Sequence, residues 1–137
     1  MAQHLERSHS RDAPVVARRD RGRRAYRTGL AAEERATALY LAAGLTLLET
    51  RWRAKGGEID LIFKDACTIV FCEVKQAGTH DDAINRLRPA QARRIHMAAS
   101  EYLDQCPDGQ LSDTRFDVAT VDAVGQCRIH ENMLAHF

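Results

Sequence analysis

Two apolar runs, separated by a short polar break at Asp65, form the clearest pattern in the chain. Residues 57–65 and 68–75 are rich in β-branched and aromatic side chains, which predicts two strands joined by a tight turn. Because side chains alternate between the two faces of a strand, one face of this hairpin is expected to be apolar throughout. That face contains Ile59, Leu61, Phe63, Val70, Cys72 and Val74.

The opposite face of the hairpin is apolar near the turn and charged at its far end, where it carries Glu58, Asp60, Glu73 and Lys75. If residues 66–67 form a two-residue loop, Asp60 lies opposite Glu73 and Glu58 lies opposite Lys75. Directly opposed residues have Cβ atoms roughly 5 Å apart. A slip by one residue would place the apolar side chains of one strand against the charged face of the other, so this register is favoured.

Three carboxylates and one ammonium group at one end of a hairpin require a physical explanation. Carboxylates that face each other repel, and a hard divalent cation such as Mg²⁺, which takes carboxylate oxygens and keeps several waters, removes that cost. Lys75 is not a ligand while it is protonated, but it can hold a phosphate oxygen or a nucleophilic water beside the ion. The alternative interpretation is a solvated strand end at which Lys75 offsets the acidic charge.

The segments around the hairpin predict an α/β protein. An apolar stripe at helical spacing predicts a helix from the N-cap Thr28 to Ala43, with Gly44 after it and Glu33 at the edge of the stripe. Leu45–Trp52 follows as a first strand. The order α-β-β-β-α-β, with a short terminal element, fits helices on both sides of a mixed sheet, a three-layer α/β/α sandwich.

After Lys75 the sequence predicts a polar loop over residues 76–82 and then a helix from Pro89 to about Leu103, with proline in its first turn. Another strand is expected over residues 115–121, followed by a turn at Gly125 and a short terminal strand. Asp117 on that strand is interpreted as a structural partner of an arginine, outside the site.

Composition adds limits to this picture. With 137 residues, 45% of them hydrophobic and 28% charged, the chain is predicted to be one globular domain without a membrane span, since no apolar run approaches roughly 20 residues. No secretory signal is recognised at the N-terminus. The four cysteines lack a Cys-x-x-Cys spacing and the six histidines show no ligand pattern, so we expect reduced thiols in a cytoplasmic protein.

The net charge of +1 conceals an asymmetry. Residues 1–28 contain eight arginines and three acidic residues, a net charge of +5, so the remainder carries −4. Residues 1–27 show no periodicity and are predicted to be a disordered basic arm before a domain at 28–137. Such an arm can contact phosphates without sequence preference. A solubility tail or an over-long start assignment are the alternatives.

Further basic groups lie near the hairpin and suit a polyanionic substrate. Arg53 and Lys55 precede the first strand of the hairpin, and Arg88, Arg93 and Arg94 cluster at the start of the second predicted helix. Gln91 points inward at that helix end, where it can orient a water or a phosphate oxygen, or serve as a satisfied interfacial amide. Ordinary solvation accounts equally well for any single one of the basic residues.

Two segments together resemble the Asp…Glu-x-Lys core of the restriction-endonuclease-like superfamily. They are Gly-Glu-Ile-Asp-Leu-Ile at 57–62 and Phe-Cys-Glu-Val-Lys at 71–75. Within that superfamily the chain is similar to the YraN-like family of small bacterial proteins, which is related to archaeal Holliday-junction resolvases. The similarity runs from about Gly29 to the C-terminus and includes the upstream helix with its Glu and the downstream Arg-Phe-Asp-Val strand.

The resemblance implies a restriction-endonuclease-like core and a nuclease that acts on DNA, including branched DNA. In that interpretation Asp60 and Glu73 bind Mg²⁺ or Mn²⁺, Glu33 reaches the metal from the first helix, Glu58 assists, and Lys75 positions the nucleophile. A homodimer would suit symmetric cutting of two strands. Two other functions stay open: a non-catalytic nucleic-acid-binding protein, or an interaction module of a DNA-processing complex.

Overall fold

The computed structural model describes residues 29–137, and the compact unit that carries the sheet spans Ala32–Phe137. The first helix, α1, is described from residue 29 and ends at residue 42, one residue before its predicted end. Gly44 follows it with φ +94°, a conformation that glycine adopts without steric cost. The predicted arm at 1–27 and the predicted N-cap Thr28 lie outside the described residues.

A mixed five-stranded sheet forms the centre of the described fold, in the order β1-β2-β3-β4-β5. The pair β3–β4 is parallel and the other neighbouring pairs are antiparallel. The α/β fold with a central mixed sheet, predicted from the sequence, is therefore confirmed. The remaining elements are β1 Thr46–Arg53, β2 Glu58–Asp65, β3 Thr68–Gln76, α2 His80–Asn85, α3 Pro89–Leu103, β4 Asp113–Val121 and β5 Cys127–His130.

Two apolar clusters pack on the two faces of the sheet. On one face, Tyr40 and Ala36 of α1 pack with Leu61, Phe63 and other sheet residues. On the other face, the buried residues of α3 pack with a second set of sheet side chains. That second cluster includes Ile62, Ile69, Phe71, Ile95, Ala98, Tyr102 and Val118. Helices thus cover both faces, as in a three-layer sandwich.

The β2–β3 hairpin has the predicted register. Asp65 pairs with Thr68 across a two-residue loop whose first residue, Ala66, has φ +54°. Regular pairing continues to Leu61 and Cys72, so Asp60 and Glu73 would be the next pair. They lie where the regular pairing of β2 with β3 ends.

One residue of the hairpin departs from the predicted alternation. Ile59 was expected to share a face with Leu61 and Phe63, and this expectation is wrong, because Ile59 packs in the α3-side cluster with Ile62. The alternation is interrupted between Ile59 and Leu61, where β2 leaves β3 but stays paired with β1 through Ile59 and Trp52. A strict period of two requires regular pairing, and the pairing with β3 stops here.

The segment after β3 also differs from its prediction. Residues 76–82 were predicted as a polar loop, but α2 begins at His80 within that range. Thr79 supplies the N-cap, its side-chain oxygen accepting a 3.1 Å hydrogen bond from the Asp82 backbone N–H. The helix has six residues, too few to show a clear apolar stripe in the sequence. By contrast, α3 has the predicted bounds, Pro89–Leu103.

Candidate active site

The Asp60 carboxylate lies at the point where β2 and β3 separate. Its Oδ2 accepts a 2.8 Å hydrogen bond from the backbone N–H of Val74. The Asp60 side chain thus takes the place of a β2 backbone carbonyl as the acceptor for the Val74 N–H, just beyond the last regular pair, Leu61 and Cys72. This bond fixes one Asp60 oxygen relative to the strand that carries Glu73 and Lys75.

The Glu73 carboxylate is buried, with 6% of the residue exposed, and both of its nearest donors bind the same oxygen. Gln91 Nε2 of α3 donates a 2.6 Å hydrogen bond to Glu73 Oε2. Lys75 Nζ lies 3.2 Å from that oxygen. The Gln91 side chain, predicted to point inward, therefore contacts the candidate metal ligand and bridges α3 to β3.

The carboxyl groups of Asp60 and Glu73 influence each other's titration. Burial, followed by the Asp60 charge, raises the pKa of Glu73 to about 8, against the lowering effect of Lys75. Burial also raises the pKa of Asp60, although the bonds from Val74 and Glu73 lower it. Two neighbouring carboxyl groups that are shielded from water repel each other when both are ionised, and a cation beside them reduces that cost.

Glu33 on α1 faces the same end of the hairpin but is bound to an arginine. Its Oε1 accepts a 3.1 Å hydrogen bond from Arg51 Nε. Burial and then the charge of Asp60 raise the pKa of Glu33, against the lowering effect of Arg51. The electrostatic influence of Asp60 on Glu33 shows that the helix delivers this acid to the neighbourhood of the hairpin carboxylates.

Arg51 reaches Glu33 from an unusual backbone conformation. It has φ +49°, the left-handed region that an arginine rarely adopts, in the middle of β1. A register irregularity lies a few residues earlier, between Leu47 and Glu49. Such strained residues persist when the surrounding structure enforces them, and they concentrate at functional sites. Nothing in the sequence distinguishes Arg51 from the other basic residues before the hairpin, because a positive φ at arginine leaves no signal in composition or periodicity.

Glu58 has a more peripheral position than the other predicted acids. Its side chain is exposed, and it acts on its neighbours by charge, raising the pKa values of Glu33 and Asp60. The structure thus joins Glu73 to Lys75 directly and fixes Asp60 beside them through Val74, while Glu33 and Glu58 flank the three.

The donor set fits a hard divalent cation held by two carboxylates. Within residues 29–137, no group of three or more His, Cys, Asp and Glu side chains is arranged as a ready metal cage. Glu33 is paired with Arg51, which leaves Asp60 and Glu73 as the two neighbouring carboxylates at the end of the strand pairing. A cation such as Mg²⁺ is commonly held by one or two protein carboxylates and several waters, so a two-carboxylate site is chemically adequate.

The predicted nucleic-acid-binding residues form two groups. Arg53 and Lys55 are exposed at the β1–β2 loop, and Arg94 lies against that loop, its Cβ 3.3 Å from the position of an added Gly57 Cβ. Arg88 and Arg93 are exposed in the first turns of α3. The Arg88 guanidinium bonds the carbonyls of Asn85 and Leu87, while Arg93 lines a cavity of about 320 Å³ with Ala92, His96, Met97 and Phe137.

A second buried acid, Asp117, has a different environment. Arg115 donates to both of its oxygens at 2.9 and 3.0 Å, Tyr40 donates its hydroxyl at 2.7 Å, and the Asn132 backbone N–H donates at 2.8 Å. Each lone-pair region of this carboxylate is thus satisfied by protein donors. The interpretation of Asp117 as a structural partner of an arginine agrees with these contacts.

The fold and these contacts define a class of protein: an α/β domain in which a hairpin presents an Asp…Glu-x-Lys set at the point where its strands separate. The model of the "Uncharacterised protein family UPF0102" matches residues 32–121, and the chain belongs to that family. The family resemblance stated from the sequence is thereby confirmed. In the described part of the chain no helix combines the length and the apolar character needed to cross a bilayer.

Relatives in several other organisms belong to the same family. A UPF0102 protein of Ruegeria sp. (strain TM1040) is 47% identical over 118 residues, which cover 86% of this chain and 95% of the relative. A UPF0102 protein of Roseobacter denitrificans is 43% identical over 119 residues, covering 87% and 92%. One from Dinoroseobacter shibae is 43% identical over 117 residues, covering 85% and 87%.

Proposed function

We propose that this protein is a metal-dependent phosphodiesterase that hydrolyses DNA, with branched or junction-containing DNA as the preferred substrate. The observation that supports this best is the position of the half-buried Asp60 beside the buried Glu73: Asp60 accepts a 2.8 Å hydrogen bond from Val74, the residue after Glu73, its charge raises the pKa of Glu73, and Lys75 lies 3.2 Å from the Glu73 carboxylate. In the described part of the chain, the single ammonium group of Lys75 serves two neighbouring carboxyl groups, whereas the single carboxylate of Asp117 has Arg115 as its own partner, so the pair at Asp60 and Glu73 has an excess of negative charge that a cation would offset.

Asp60 and Glu73 would hold Mg²⁺ or Mn²⁺, with Glu33 and Glu58 as flanking groups. Such an ion, when bound, lowers the pKa of a coordinated water and offsets the charge that develops on the phosphate. The raised pKa values of the two carboxyl groups support this assignment, since binding a cation offsets the repulsion that burial amplifies.

The chain's own groups have separable roles in this proposal. The Val74 N–H and the Gln91 amide each fix one carboxylate oxygen, which holds the pair in a constant geometry. Lys75 supplies an ammonium group beside Glu73 that donates hydrogen bonds to a phosphate oxygen or to the attacking water. Arg53, Lys55, Arg88, Arg93 and Arg94 would bind the phosphates on either side of the scissile bond.

The proposal includes a cellular location and an oligomeric state. All four cysteines are free thiols, which supports a reducing, cytoplasmic location. A two-fold homodimer would present two sites to the two strands of a branched substrate.

The second candidate is a nucleic-acid-binding protein without turnover. The ion pair between Glu33 and Arg51 favours it, because it withdraws one carboxylate from the cation site. This function predicts salt-sensitive DNA binding that needs no metal and survives Glu73→Ala.

Calorimetric titration with Mg²⁺ and Mn²⁺, paired with cleavage of a four-way junction, distinguishes the two functions. The nuclease proposal expects wild-type protein to bind the ion and cut the junction, and expects Asp60→Asn and Glu73→Gln to lose both properties while remaining folded. Asp113→Asn, which alters an exposed strand aspartate, is the matched control and is expected to behave as wild type. Undiminished cleavage by Glu73→Gln would refute the nuclease assignment, and DNA binding without any cleavage would support the second candidate.

A further inference from the structure

The loop that joins β1 to β2 directs two consecutive backbone N–H groups at one carboxylate. The loop closes through a 2.8 Å hydrogen bond from Ala54 N to the Gly57 carbonyl. Lys55 N donates to Glu101 Oε1 at 3.3 Å, and Gly56 N donates to Glu101 Oε2 at 3.2 Å. Each oxygen of the α3 carboxylate thus receives one amide of the loop.

The loop approaches α3 so closely that a side chain at either of its glycines would be crowded by the helix. A Cβ added at Gly56 would lie 3.3 Å from Met97 Cβ, and one added at Gly57 would lie 3.3 Å from Arg94 Cβ. Either distance is tighter than ordinary side-chain packing and would force the helix or the loop to shift. The two amides of residues 55 and 56 are therefore held in place by backbone packing as well as by Glu101.

Two adjacent amides that converge on two oxygens of one anion also suit a phosphate group. Arg53 and Lys55 are exposed in or next to this loop, and Arg94, which packs against Gly57, is exposed on the facing helix, while Met97 is the apolar neighbour of Gly56. Glu101 is partly exposed, and no other side-chain hydrogen bond of its carboxylate is found among the described residues. A carboxylate held only by weak amide bonds within a basic surface is a replaceable anion.

We propose that the amides of Lys55 and Gly56 form a phosphate-binding site for the DNA backbone, and that Glu101 occupies it as an internal competitor. This inference rests on the proposed function, because DNA is the polyanion that supplies the phosphate. On binding, a phosphate takes the place of the Glu101 carboxylate, and Lys55 and Arg94 neutralise it.

The position of this site along α3 indicates which phosphate it would bind. Gln91, which contacts Glu73, precedes Glu101 by ten residues on the same helix, a span of about 15 Å along its axis. One strand of B-DNA advances about 3.4 Å per nucleotide along the duplex axis. The loop would therefore contact a backbone phosphate a few nucleotides from the scissile bond and would set the register of the DNA on the protein.

The variant Glu101→Ala tests this proposal, because competition with phosphate and a purely structural role of Glu101 predict opposite changes in DNA affinity. If Glu101 competes with phosphate, Glu101→Ala tightens duplex binding by roughly threefold to tenfold, the equivalent of one net hydrogen bond that no longer has to be displaced. If Glu101 only clamps the loop, Glu101→Ala weakens binding. Glu101→Gln retains an acceptor for one amide and removes the charge, so it is also expected to tighten binding. Asp108→Ala, which removes an exposed charge in the turn after α3, controls for the change in net charge.

Amide chemical shifts locate the contact independently of cleavage. In Asp60→Asn protein, titration with a short DNA duplex is expected to shift the Lys55 and Gly56 amide signals, and inorganic phosphate is expected to shift the same signals at higher concentration. Unmoved amides, or binding weakened or unchanged by Glu101→Ala, would overturn this inference while leaving metal-dependent cleavage intact. Shifted amides without any junction cleavage by wild type would instead overturn the nuclease proposal and leave the phosphate site standing.

Discussion

Gln91 at the start of α3 donates a 2.6 Å hydrogen bond to Glu73 Oε2 on β3. This contact joins α3 to the buried Glu73 carboxylate. The same oxygen lies 3.2 Å from Lys75 Nζ. The bond fixes the orientation of a side chain that would otherwise rotate about three torsions. It places Gln91 among the groups that position the candidate cation site.

Replacement of Gln91 by alanine is expected to weaken metal binding without unfolding the protein. Groups that orient a metal ligand commonly account for a tenfold or larger part of the affinity, so Gln91→Ala should raise the Kd for Mn²⁺ by about tenfold. Calorimetric titration measures the change. Gln105→Ala, an exposed glutamine just after α3, is the matched control and should bind as wild type does. Equal affinities of the two variants would show that Gln91 is only an interfacial amide.

The metal-free protein should lose stability as the pH rises from about 4.5 to about 8. The folded state raises the pKa of Glu73 to about 8 from its ordinary 4.5, so folding retains a proton that the unfolded chain releases in this interval. Stability linked to that proton is fully present below pH 4.5 and is lost as the pH approaches 8. Glu73→Gln keeps a hydrogen-bond donor but does not titrate, so its unfolding free energy should vary less over the same interval.

Chemical denaturation at pH 5, 6.5 and 8 in the presence of a chelator tests this expectation. Addition of Mn²⁺ at pH 8 should restore stability to wild type and leave Glu73→Gln almost unchanged. A wild-type profile as flat as that of Glu73→Gln would contradict the assignment of a retained proton to this carboxyl group.

The sequence predicted the part of the site that depends on the alternation of side chains along β2 and β3. The register that brings Asp60 toward Glu73 follows from two apolar runs and a two-residue loop, and regular pairing holds to Leu61 and Cys72. The interruption that moves Ile59 to the α3-side cluster was not predictable, because it depends on the Val74 N–H bonding a side chain instead of the β2 backbone. Periodicity records which residues are apolar but not where strands separate.

Other parts of the site depend on contacts that no local pattern encodes. The strained φ of Arg51 brings its guanidinium to Glu33, eighteen residues away in the chain. Helix α2 has only six residues, and Thr79 caps its N-terminus. The segment is so polar that the sequence predicted a loop there. Helix α3 was predictable to the residue because Pro89 and a regular apolar stripe mark it locally.

Release of Glu33 from Arg51 is expected to strengthen metal binding. Arg51→Gly removes the ion pair while retaining a residue that adopts φ +49° freely, so the backbone should be undisturbed. The gain should be about twofold to fivefold in Kd, the range of a partly exposed ion pair. The double variant Arg51→Gly/Glu33→Gln separates the causes. If it binds as tightly as Arg51→Gly, the gain comes from removing a positive charge and Glu33 is not a ligand.

Disruption of the Asp117 cluster should affect stability and leave the cation site unchanged. Asp117→Asn removes the fully buried partner of Arg115, whose remaining carboxylates, Asp65 and Glu131, lie 3.8 Å away at the surface, and this loss is expected to cost about 3 kcal/mol in unfolding free energy. Tyr40→Phe removes one hydrogen bond to the same carboxylate and should cost about 1 kcal/mol. Both should retain wild-type affinity for Mn²⁺ at a temperature at which they are folded. A loss of affinity in either variant, with folding intact, would show that the two acidic sites are coupled.

Salt dependence of DNA binding identifies which basic residues contact phosphates. Lys55→Ala and Arg94→Ala should each reduce the slope of log K against log salt by about one and weaken binding uniformly across DNA sequences. Arg128→Ala is the control, because Arg128 is exposed on β5 at the opposite edge of the sheet from the β1–β2 loop. Fluorescence anisotropy with a labelled duplex, in Asp60→Asn protein so that no strand is cut, measures all three slopes. An equal decrease for Arg128→Ala would mean that net charge, and not the loop surface, controls binding.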